Sequence, residues 1–180
     1  MNRKVLIINY FLFIGGGEKL LIELVKFCLE NGIQPEVLIP ERIIAGDNKK
    51  EEFYDNFLKK RGVKVHRVPV FFKAYNFDIF KYWYWQFKLN NSDKFYDSVH
   101  VLNLNLCDSI YEKLKNKNRY FWHIVNRVQF EGKKYPYRQR LVSNPNDNII
   151  VINKYQVKEM QEYFYRISSK VLNFKLFLNN

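Results

Sequence analysis

Several places in this chain combine residue types and spacings that could do chemistry. Gly15-Gly16-Gly17 separates an apolar run from a helical one. Glycines there let the backbone approach a ligand, and the helix they open would aim free N–H groups and its positive end at the same spot. That suits a phosphate or pyrophosphate; the same glycines also fit a tight turn that holds nothing. His123 closes the apolar run Tyr120-Phe121-Trp122. A histidine there can hydrogen-bond a sugar hydroxyl or phosphate or relay a proton, and it equally fits a satisfied histidine ending a strand. Asn103 and Asn126 fall just beyond strand-like runs. Asp78, Lys81, Trp85 and Lys88 recur at helical spacing. A tryptophan between lysines suits a bilayer interface, stacking on nucleotide bases, or packing in a core.

Other chemistry finds no support in the spacing. The glycine turn lacks both the phosphate-loop pattern and the dinucleotide fingerprint. No Cys/His/Asp/Glu set has metal-ligand spacing, and neither a Ser-His-Asp nor a Cys-His arrangement is identifiable. His100 lies inside a strand-like run and carries no expected role, and His66 alternates in another and is expected to face solvent. Cys28 and Cys107 sit in apolar stretches and read as buried thiols of a reducing compartment.

The elements that must position these residues alternate. Val5–Ile8 reads as a strand buried on both faces, Glu18–Asn31 as an amphipathic helix stopped by Gly32, and Val37–Ile39 as a second strand. Further strands are expected at Val63–Val68, Ser98–Leu102, Tyr120–His123, Ile149–Ile152 and Val171–Leu172. Helices are expected at Glu51–Arg61, Phe77–Leu89, Cys107–Lys115 and Lys154–Tyr165, the last opened by Asn153 with Gln156. On the third helix Phe77, Phe80, Tyr84 and Phe87 form the stripe expected to face inward. Residues 124–147 show no period and are basic. The pattern predicts a single α/β domain, a doubly wound, Rossmann-like parallel sheet with helices on both faces in three α/β/α layers. Ligands of such sheets bind outside the carboxyl ends of the strands, which selects the glycine turn, Asn103, His123 and Asn126.

In this order the pieces resemble the N-terminal, acceptor-side domain of glycosyltransferase family 4, a retaining GT-B family. Lys4-Val-Leu-Ile-Ile-Asn9 followed by Gly15-Gly16-Gly17-Glu18-Lys19 looks like the family's opening strand and Gly-Gly-x-Glu-Arg/Lys turn. Asp97-Ser-Val-His100-Val-Leu-Asn103 is similar to its Asp-x-x-His-x-His strand, with Leu102 in place of the second histidine. Ile149–Asn153, Val157-Lys158-Glu159 and Ile167–Phe174 are similar to the segment leading into the second domain. The resemblance implies a hexosyltransferase half in which His123 contacts the donor sugar as the catalytic histidine. Gly15, Gly16, Gly17, Glu18, Asn103, Asn126 and Arg127 would bind substrate. Lys81, Trp85, Lys88, Lys133 and Lys134 would form a membrane or anionic acceptor surface. It also implies residues 1–174 as the acceptor domain and 175–180 as the start of a linker. The Glu-x7-Glu donor motif and a basic donor pair are absent, so the chain is expected to be silent alone. No cofactor is expected on it; a UDP- or GDP-sugar would be the donor of the complete enzyme. The donor-binding half would come in cis or from a separate subunit, with a glycan or lipid-linked acceptor. A non-catalytic membrane-recruiting or partner-binding subunit of a split enzyme is the alternative.

The charge bears on partners rather than on fold. Thirty Lys and Arg against 18 Asp and Glu give +12 across 180 residues. Such a surplus favours anionic lipid, nucleic acid or a phosphorylated substrate, or reflects an A/T-rich genome that also supplies the abundant Asn, Tyr and Phe. Charge alone supports nucleic acid, since no recognised motif accompanies it. With neither a signal-peptide pattern nor an apolar run approaching roughly 18 residues, the expected location is the cytoplasm, peripheral on the inner face of the membrane.

Overall fold

The computed structural model describes residues 3–40, 52–68, 79–102, 110–124, 135 and 138–174. Its centre is one all-parallel sheet of seven strands: β1 (Lys4–Ile8), β2 (Gln34–Pro40), β3 (Lys64–Val68), β4 (Ser98–Val101), β5 (Arg119–His123), β6 (Asn148–Val151) and β7 (Lys170–Asn173), in the order β3-β2-β1-β4-β5-β6-β7. The helices are α1 (Gly16–Glu30), α2 (Asp55–Lys60), α3 (Ile79–Asn90), the single turn α4 (Ser92–Phe95) and α5 (Lys154–Tyr163); a 3-10 turn spans Gln139–Val142. The Rossmann-like α/β expectation is met, and its strand order reverses between β1 and β4.

The run Val5–Ile8 is apolar throughout because both faces of β1 are covered. Leu6 and Ile8 join the cluster that holds Trp85 and Leu89 of α3 and Met160 of α5. Val5 and Ile7 join the one that holds Leu21 and Val25 of α1 and Leu58 of α2. The two clusters are the two interlayer cores of a three-layer fold. Helix α1 ends in a Schellman motif: Gly32 takes φ +67°, its N–H bonds Leu29 O at 3.2 Å, and Ile33 N–H bonds Cys28 O at 2.8 Å. Gly62, at φ +70°, repeats the device after α2. Asn153 accepts from Gln156 N at 3.0 Å while Gln156 Oε1 accepts from Ile152 N at 2.8 Å, so α5 opens with reciprocal caps as expected.

Helix α3 corrects the sequence reading. Tyr82, Trp85, Gln86 and Leu89 face the sheet, and Trp85 is only 3% exposed. Lys88 lies against the same core, its Nζ 3.9 Å from Glu36 and 4.8 Å from the Trp85 ring. Of the stripe expected inward, Phe77 lies outside the described residues, and Phe80, Tyr84 and Phe87 stand outward instead, 84%, 57% and 57% exposed, joined by Trp83 at 60%. Apolar spacing could not choose, because aromatic residues run all round this helix. Glu36 supplies the choice. This carboxylate, buried in β2, also accepts from Tyr96 OH at 2.9 Å and pairs with His66 Nε2 at 3.0 Å, so the lysine-bearing face of α3 must turn to it. His66 is accordingly not solvent-facing, and its ring packs 4.5 Å from Trp85. Burial raises the Glu36 carboxyl, but Tyr96, Lys88 and His66 bring it below its ordinary value.

Candidate functional site at the strand ends

The upper rim of the sheet is built by the turn after β1. Asn9 is buried and ties that turn together: its Nδ2 donates to Phe11 O at 3.0 Å and to Glu18 Oε1 at 3.4 Å, while its backbone N–H bonds Leu38 O. Leu12 is pinned from the side, its N–H donating to Glu52 Oε2 at 2.7 Å. Arg67 at the end of β3 holds Glu52 at 2.9 Å and Asp55 at 2.6 Å. Burial alone would lower the Arg67 guanidinium, yet these two carboxylates raise it, so it stays charged. Beyond this anchored base, Phe13 and Ile14 project into solvent.

Each glycine of the turn meets different surroundings. A Cβ on Gly15 would collide with Glu18 Oε2, so Glu18 folds back over the start of α1. A Cβ on Gly17 would come 3.1 Å from Ile124 Cδ1, which places the turn against the residue that follows β5. Nothing lies within 4 Å of one on Gly16. The structure thus brings Gly15–Glu18 and the end of β5 to one rim. It also sets the Glu18 carboxylate at the helix start, where an anionic ligand would compete with it.

His123 reaches that rim by backbone only. Its ring is fully buried on the α5 side, edge-on to Tyr135 at 5.3 Å. Burial drives its pKa down to about 4 although the charge of Glu159 opposes this, so the imidazole is neutral at pH 7. A neutral ring can donate through one nitrogen and accept through the other; it cannot act as a fixed cation. Tyr135 OH donates to Glu159 at 3.2 Å, and the Tyr135 ring stacks on Phe164.

His100 also lies low, at about 4, through burial. Its Nδ1 accepts from Trp122 Nε1 at 3.2 Å, which assigns its proton to Nε2 and makes it a packing residue. Cys28 is buried and its thiol is pushed up by burial.

Asn103, Asn126, Arg127, Lys133, Lys134 and Cys107, as well as the 175–180 linker, lie outside the described residues. Lys81, Trp85 and Lys88 sit on α3, apart from the glycine turn; Trp85 is buried and the half-buried Lys88 turns toward Glu36, so these two do not form an outward surface. Sequence reasoning missed Asn9, the Glu52–Arg67–Asp55 network and the exposed Phe13-Ile14 tip. The polar Asn9 at the end of an apolar run was the available signal. No group of three or more His, Cys, Asp or Glu among the described residues could hold a metal ion.

No protein-family model matches this sequence, and no curated protein does. The functional reading therefore rests on the rim itself.

Proposed function

We propose that this chain is the acceptor-side half of a glycosyltransferase, with its site at the upper rim between β1, β4 and β5. The observation that carries the reading is the closeness of Gly17 to Ile124, whose Cδ1 would lie 3.1 Å from a Cβ there; it gathers a helix-opening glycine turn and the end of β5 beside the β1–β4 point where the strand order reverses. On this reading the free N–H groups at the start of α1 face a phosphate of the nucleotide-sugar, with Glu18 swinging away from Gly15 to admit it. Phe13, above the turn, offers a ring face to a sugar. His123, its ring buried beneath the strand ends, shapes the rim from below. The resemblance to glycosyltransferase family 4 supports the same assignment, with a UDP- or GDP-sugar donor held by a second half in cis or in trans, a glycan or lipid-linked acceptor, and retention of configuration.

The burial of His123 and the carboxylate seated at the helix start favour a second reading, a non-catalytic subunit of a split enzyme. Co-expression with a donor-binding half, assayed for transfer from UDP- and GDP-sugars, separates the two. Transfer that falls on Gly16→Trp while the complex persists supports the first. Transfer indifferent to Gly16→Trp and His123→Gln supports the second. Turnover by the chain alone would contradict both.

A further inference from the structure

The outer face of α3 presents an uncharged aromatic stripe that no described part of the chain covers. Ile79, Phe80, Trp83, Tyr84 and Phe87 recur at i, i+3, i+4 spacing, and Phe95 of α4 meets Phe87 edge-on at 6.1 Å. The helix has no acidic residue, and of its two lysines Lys81 flanks the stripe while Lys88 turns toward Glu36. Trp83 and Tyr84 stand edge-on against the buried rings of Tyr82 and Trp85, at 5.5 and 5.8 Å, so their places are set before anything docks. At about 200 Å² per large side chain, the exposed fractions of these six residues leave roughly 700 Å² open. That exceeds the largest apolar patch of an ordinary monomer, about 300–600 Å².

We propose that this stripe is the two-fold contact of a homodimer, in which α3 packs antiparallel against α3 of a second copy with Trp83 at the axis. The inference does not rest on sugar transfer; α1 packs on the opposite face of the sheet, so the pair leaves the glycine turn clear. Area and symmetry select the occupant. Two such faces together would bury about 1,400 Å², inside the roughly 1,200–2,000 Å² of stable protein pairs. Trp83 is the midpoint of the 79–87 stripe, which has apolar side chains at both ends. Antiparallel pairing therefore sets Phe87 of one protomer opposite Ile79 of its partner, ring surface against apolar surface at each end. Aromatic residues without charge are what the core of such an interface uses. The chain's +12 opposes pairing at long range, but salt screens it over about 8 Å at physiological ionic strength, so pairing should tighten as salt rises.

The chain carries its own probe. Of its three tryptophans, Trp85 and Trp122 are buried and Trp83 is exposed. Sedimentation equilibrium of the full chain, from micromolar to hundreds of micromolar, should show a monomer–dimer equilibrium that tightens as salt is raised. Tryptophan emission should shift to the blue as the dimer forms. Phe80→Ser with Phe87→Ser should weaken association more than about hundredfold, because a symmetric contact loses each ring twice. Trp83→Arg should leave monomer only, since it sets two like charges face to face at the axis. Phe27→Ser, which removes an exposed ring of α1 on the other face of the sheet, should change nothing. Thermal midpoints of dilute, monomeric solutions should match across the variants, which separates lost pairing from lost fold. A monomer at every concentration and salt overturns the proposal. A dimer that survives the stripe substitutions, or that loosens as salt rises, overturns it too. So does shielding of Trp83 by lipid vesicles or by another protein in a chain that stays monomeric.

Discussion

The two edges of the sheet use polar groups in opposite ways. At the lower edge, where β5 and β6 begin, Asp147 is fully buried and Arg119 grips it through both Nε and Nη2. Tyr111 OH donates to the same carboxylate at 2.7 Å, and Arg119 Nη1 reaches Leu114 O at 2.6 Å. Asn116 closes the neighbouring turn with bonds to the carbonyls of Ser92 and Tyr96. Every one of these groups spends its hydrogen-bonding capacity on the protein. At the upper rim Asn9 and Arg67 brace a turn whose middle glycine, Gly16, faces open space and whose tip exposes Phe13 and Ile14. Closed polar networks hold the sheet in register; the braced but open turn is where a ligand has room.

That contrast breaks most visibly at Asp147. Its replacement by alanine leaves the half-buried Arg119 without its carboxylate, and removing one member of a buried pair costs about 3–5 kcal/mol. Urea unfolding should show the midpoint fall accordingly with an unchanged slope. A loss below about 1 kcal/mol would mean that the lower edge is solvated and the two edges are alike.

Acid should sharpen the comparison next. His100 and His123 both have folded values near 4 against an ordinary 6.5. Between those values the unfolded chain binds protons that the folded chain refuses, so their contribution is whole above about 6.5 and drains as pH falls toward about 4. Each can remove up to about 1.4 kcal/mol per pH unit. His66 and Glu36, both lowered, act in the same direction, His66 from 6.5 downward and Glu36 below its ordinary 4.5. Unfolding midpoints at pH 7 and pH 5.5 measure the slope, and His123→Gln should flatten it. A flat profile in the native chain would place both rings in contact with water and restore His123 to an accessible rim.

Much of the frame was legible in the residues. Val5–Ile8 and Ile149–Ile152 announced buried strands, Gly32 announced a helix stop, and Asn153 with Gln156 announced a cap, because each is set by local chemistry. The orientation of α3 was not legible, since its rings satisfy two stripes and the tie-breaker is Glu36, distant in sequence. The rim was read in outline, yet the inward turn of His123 was not. Strand alternation from Phe121 puts residue 123 in the same core as residue 121, a parity that outweighs its place at the strand end.

The two ends of α1 complete the comparison at a smaller scale. Gly32→Ala forces a β-carbon into φ +67° and should cost about 1 kcal/mol, seen as a lowered thermal midpoint. Gly16→Ala meets nothing within 4 Å and adds a better helix former, so it should leave stability unchanged or raise it by up to about 1 kcal/mol. Its methyl group would nonetheless occupy open space at the first turn. If that turn receives a phosphate, calorimetric titration with a nucleoside diphosphate in the presence of the donor-binding half should weaken for Gly16→Ala while the melting curve does not. Equal binding by both proteins would mean that the open space over Gly16 belongs to solvent, and that only the lower end of α1 needed its glycine.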